Sequence, residues 1–142
     1  MIQRIQSVYL LLGAAALAGL VFLDSLWQSA AAATYSWFGP SIAGLSIATA
    51  VVGLIAIFLY NTRPLQRKVV LGTQMGTVIT VAVLYGTLYL TGGFDVRAAD
   101  GSFDTGQILL VALPVVAYVL FYLARRGIES DIELVKSMDR LR

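Results

Sequence analysis

Long uncharged apolar runs alternate with short charged segments along the whole chain. Four stretches, 5–23, 41–60, 69–91 and 107–124, contain no Asp, Glu, Lys or Arg. Each has about the 20 residues that a helix needs to cross about 30 Å of hydrocarbon at 1.5 Å per residue. The pattern therefore predicts an all-α fold, an integral membrane four-helix bundle forming a single domain. Residues 125–142 remain as a tail. There Ser130 followed by Glu133 makes a capping-box pattern that predicts a fresh, short amphipathic helix after Gly127. Its apolar edge is Ile128, Ile132, Val135 and Met138, at spacings of four, three and three. That edge is a candidate contact for lipid or for a partner.

The first stretch also resembles a signal sequence, with Arg4 before it and small residues at Ala30–Ala33. It is longer than a usual signal-peptide apolar region, so a retained helix is expected.

Composition agrees with lipid as the solvent. Of the 142 residues, 58% are hydrophobic and 13% charged, where a soluble domain carries about 25% charged residues. The mean hydropathy is +0.82. The distribution of charge orients the bundle. Arg4, Arg63, Arg67, Lys68, Arg125, Arg126, Lys136, Arg140 and Arg142 fall on one side of the spans, leaving Arg97 on the other with Asp24, Asp95, Asp100 and Asp104. Basic excess marks the cytoplasmic side, which predicts that both termini are cytoplasmic.

Lipid tails are as apolar as leucine, so small residues that let backbones approach hold such helices together. Ser46, Thr49, Gly53 and Ala56 form one stripe of the second span, and Gly72 and Gly76 form a GxxxG pair in the third. These six positions are the candidate packing residues, within the bundle or against another subunit. Thr73, Thr77, Thr80 and Thr87 share one half of the third span. Gln74 is expected to bond to a neighbouring helix, because a buried amide needs partners, and Pro114 to kink the last span.

The chain has no Cys and no His, which removes disulfides, thiolate or imidazole zinc sites, and haem with a histidine or thiolate axial ligand. No glycine-rich phosphate loop is present, and the basic residues are accounted for by topology, so no cofactor and no nucleic-acid partner is expected. Asp100-Gly101 predicts a β-turn between two short outer segments, where Asp95 and Asp104 are solvated. No nucleophile or base accompanies them, so catalysis is not expected. The expected partners are membrane lipid and other membrane subunits or further copies of this chain. Weighed against this is a small transporter or channel for a neutral or lipophilic solute.

The segments MIQRIQSVYLLL at the start, FLYNTRPLQRKV at 58–69 and ELVKSMDRLR at 133–142 resemble the domain of unknown function 4293 family, four-pass membrane proteins of Bacteroidota. The resemblance covers essentially the whole chain. It implies an inner-membrane location and brings no activity or site residues.

Overall fold

A computed structural model describes residues 2–98 and 101–139. Helix α1 spans Ile2–Leu20, α2 Asp24–Gln28, α3 Ala30–Thr34, α4 Phe38–Phe58, α5 Arg63–Leu90 and α6 Thr105–Asp139. The four long helices form a ring in which α1 and α5 each pack between α4 and α6. Three stretches, Phe38–Phe58, Arg63–Leu90 and Thr105–Met138, are long and apolar enough to cross a membrane, and Ile5–Leu20 is a shorter apolar helix. The first residues of α1, the 59–62 connection and the end of α6 meet at what is termed here the basic end.

The apolar runs predict the helices but not their ends. At 28 residues, α5 is about 42 Å long. It starts at Arg63, six residues before the expected apolar boundary, because Pro64 in its first turn sets a helical φ and gives up no needed donor. Its other end closes on a Schellman motif. The Gly93 N–H donates to the Leu88 carbonyl (2.8 Å) and the Gly92 N–H to the Tyr89 carbonyl (3.3 Å). Gly92 sits at φ +67°, the left-handed position that this cap demands. The 91–104 connection then turns back through an isolated antiparallel bridge between Arg97 and Phe103. Gly101 there stands at φ +84°, and its N–H donates to the Ala98 carbonyl. Asp100, half of the predicted turn, lies outside the described residues. Asp95 accepts from the Arg97 N–H (3.0 Å), and Asp104 caps α6 by accepting from the Gln107 N–H (3.1 Å).

Two expectations are corrected. The segment between the first two apolar stretches, outside every predicted helix, contains α2 and α3. Ser29 starts α3 by accepting from the Ala32 N–H, and Trp27 fixes α2 by donating from Nε1 to the Val21 carbonyl (2.9 Å). No fresh helix begins after Gly127. Instead α6 runs unbroken for 35 residues through Pro114, Gly127 and Ser130. One glycine inside a helix costs only about 1 kcal/mol, and here it makes a contact: a Cβ at 127 would stand 2.9 Å from Cγ of Gln6.

The interior is tightest where Phe121 of α6, fully buried, meets two glycines. A Cβ at Gly13 of α1 would lie 2.8 Å from its ring, and one at Gly53 of α4 would lie 3.1 Å from it. Thr73, Thr77, Thr80 and Thr87 of α5 are buried. Their hydroxyls donate to carbonyls of their own helix, at Val70, Thr73, Gly76 and Val83. This back-bonding satisfies the hydroxyls without linking one helix to the next.

Candidate functional site

The densest polar cluster among the described residues lies at the basic end, where α1, α5 and α6 converge. Its centre is Asp131, on α6 just past the last apolar turn and only 7% exposed. A carboxylate so buried needs partners. Gln6 of α1 donates from Nε2 to Asp131 Oδ2 at 3.0 Å. Arg63, in the first turn of α5, places Nη1 3.8 Å from the same oxygen. One turn further along α5, Gln66 donates to the Ala56 carbonyl of α4 (3.0 Å), so the fourth long helix joins the same layer.

A second, wetter pair flanks it. Arg67 Nε lies 2.7 Å from Glu129 Oε1, and Arg125 Nε lies 3.8 Å from that oxygen. Arg125 also stands 5.8 Å over the Tyr122 ring. Positions 125 and 129 are one turn apart on α6, so both side chains face α5.

Beyond this layer two open grooves lie between the start of α5 and the last turns of α6. One, about 250 Å³, is lined by Arg67, Glu129, Ile132, Glu133 and Lys136. The other, about 500 Å³, is lined by Asn61, Arg63, Pro64, Ile132, Val135 and Lys136. The first is mixed in sign. The second has two cations, no acid and an apolar floor.

The residues singled out by sequence fall on both sides of the bundle surface. Ser46, Thr49, Gly53 and Ala56 are all buried on α4. Gly76 meets Thr49, whose Oγ1 is 2.6 Å from where a Cβ would stand. Gly72, its GxxxG partner, is exposed and has nothing within 4 Å. Within this chain the pair is therefore split, because α5 turns position 72 away from α4. Ile128 is buried, Ile132 partly buried, and Val135 and Met138 are exposed. Gln74 is 1% exposed, yet neither amide atom has a hydrogen-bond partner. The expected interhelical bond is absent, and the hydroxyl protons of Thr73 and Thr77, on the same helix, are given to backbone carbonyls and not to the amide oxygen.

Sequence reasoning passed over Gln6, Gln66 and Asp131. A usable signal was present: an acid three residues beyond Ile128, inside an apolar edge, and a glutamine in the first turn of an apolar helix.

The fold and this cluster together define a small, predominantly helical protein, three of whose helices have the length and apolarity of membrane spans. The chain belongs to the family described as domain of unknown function (DUF4293), whose model matches residues 2–141. No curated protein and no solved structure matches it.

Proposed function

We propose that the chain is a non-catalytic scaffold, assembly or accessory subunit of a larger complex in the bacterial inner membrane. In this reading it crosses the bilayer four times with both termini in the cytoplasm. The orientation is supported by the gathering of Arg63, Arg67, Lys68, Arg125, Arg126 and Lys136 at one end of the bundle, while Arg97 lies at the other.

One observation carries the subunit reading. A furrow of about 290 Å³ runs between α1 and α4, with Ala14, Ala15 and Ala18 on one wall and Ile47, Ala50 and Val51 on the other. In lipid no hydrophobic force draws helices together, and small residues that allow close approach take its place. Four of the eight residues that line this outer furrow are alanine, Leu11 and Leu54 completing the lining, which gives it room to seat a helix from another subunit.

The test uses the absence of cysteine. A single Ala15→Cys variant, cross-linked in native membranes and identified by mass spectrometry, is expected to give a discrete adduct. A chain that runs alone in mild detergent and yields no adduct would overturn the reading.

Gln74 favours a second reading, a small transporter or channel for a neutral or lipophilic solute, because its buried amide has no partner within the chain and polar groups at membrane depth often serve a solute. Saturable flux into reconstituted vesicles that is lost in Gln74→Leu would establish it.

A further inference from the structure

We propose that the groove between the start of α5 and the last turns of α6 binds the headgroup of an anionic phospholipid. The site rests on the membrane embedding proposed above but is independent of any partner subunit.

Chemistry of three kinds converges there. Arg63 and Lys136 stand at opposite walls, and no acid lines the space between them. The acidic neighbour of Arg63, Asp131, is 3.8 Å away, beyond hydrogen-bond length, so guanidinium N–H groups remain for another anion. Glu133, which neighbours Lys136 in sequence, lines the adjacent mixed-sign groove.

The second contribution is backbone. Helix α5 opens into this region with no acid in its first turn and no side-chain cap from Thr62. Pro64 has no N–H, and the Thr62 and Gln66 N–H groups are bonded to carbonyls. The Arg63 and Leu65 N–H groups and the helix dipole are what favour a negative group, and the Asn61 amide adds a donor on the same wall.

The floor makes the third. Pro64, Ile132 and Val135 are apolar and offer nothing to a free phosphate, but they suit the glycerol and first methylenes of a lipid. Phe58 and Tyr60, which are 77% and 55% exposed, lead along the chain into the groove's Asn61. Exposed aromatic residues at the end of an apolar helix mark the headgroup level, which sets the groove at that depth.

The test uses the full chain, delipidated in mild detergent, with bound lipid counted by native mass spectrometry. Phosphatidylglycerol is expected to be retained about tenfold over phosphatidylcholine, and Arg63→Gln combined with Lys136→Gln to weaken that retention by roughly 30-fold. Lys136→Glu, which leaves the Asp131 contacts untouched, should abolish the preference while the thermal midpoint holds. Val135→Ser should also reduce retention. Lys68→Gln with Arg126→Gln removes the same charge at the same end outside the groove and should change retention by less than about twofold.

Equal losses in the two double variants would overturn the site in favour of diffuse attraction. So would displacement of the lipid by inorganic phosphate with no effect of Val135→Ser, which would mark a site for free anions. A positive lipid result with no cross-linked partner at Ala15 would remove the subunit reading and leave this site standing.

Discussion

Thr49 of α4 stands directly over Gly76 of α5, with Oγ1 2.6 Å and Cγ2 3.1 Å from the position a Cβ would take. Both branches of the threonine crowd that point, so a change of rotamer exchanges one clash for another. Gly76→Ala should therefore push α4 and α5 apart and cost about 1–3 kcal/mol. Gly72→Ala, with nothing within 4 Å, should be neutral or gain up to about 1 kcal/mol from helix propensity. Unfolding of both variants in a detergent titration distinguishes them. Equal effects would mean that the α4–α5 contact is placed wrongly.

Phe121 supplies a second packing test. Its ring edge meets Gly13 from α1 and Gly53 from α4, so it has little room to withdraw. Gly13→Ala should destabilise by about 1–3 kcal/mol. Adding Phe121→Leu, which retracts that edge, should recover part of the loss. A double-mutant cycle in thermal unfolding reads the coupling, and strictly additive losses would contradict the contact.

The two ion-pair layers at the basic end should differ sharply. Asp131 is buried, accepts from Gln6 and faces Arg63 at 3.8 Å. Asp131→Ala therefore leaves the Gln6 amide without its acceptor and removes the charge beside Arg63, and should cost about 1.5–3 kcal/mol. Asp131→Asn keeps an acceptor for Gln6 and should cost less. Chemical denaturation of the two variants side by side tests the order.

Arg67 and Glu129 are close at 2.7 Å, but the Arg67 side chain is 57% exposed. Screening and side-chain entropy reduce such a pair to less than about 1 kcal/mol. The coupling from Arg67→Ala and Glu129→Ala should accordingly be small and shrink further in high salt.

The proposed orientation makes its own forecast. A reporter fused after residue 142 should be active only as a cytoplasmic form, and one inserted at residue 101, in the 91–104 connection, only as an external form. The opposite pair of signals would invert the bundle in the membrane.

The helical architecture was legible because hydrocarbon-length runs without charge have few alternatives. Helix ends were less so. Arg67 and Lys68 lie outside the apolar stretches, yet they belong to α5 because the helix continues past the apolar boundary as far as Arg63. Spacing alone also could not divide Gly72 from Gly76, since four residues keep two glycines near one face without saying where that face ends. The cluster at the basic end was least legible of all. Gln6 and Asp131 are 125 residues apart, and Arg67 and Glu129 are 62 apart; only the antiparallel return of the helices brings them together.

The unbroken course of α6 has a mechanical side. Its 35 residues make a rod of about 52 Å, with Lys136 near one tip. Near the other, Gln107 donates to the Gly93 carbonyl beneath the 91–104 turn. A pull on the tail by any bound molecule is thus carried to the opposite face of the bundle, unless the turn at Pro114 yields. Tyr85 donates to the Val111 carbonyl within that same turn (2.6 Å), bracing the rod where it is softest.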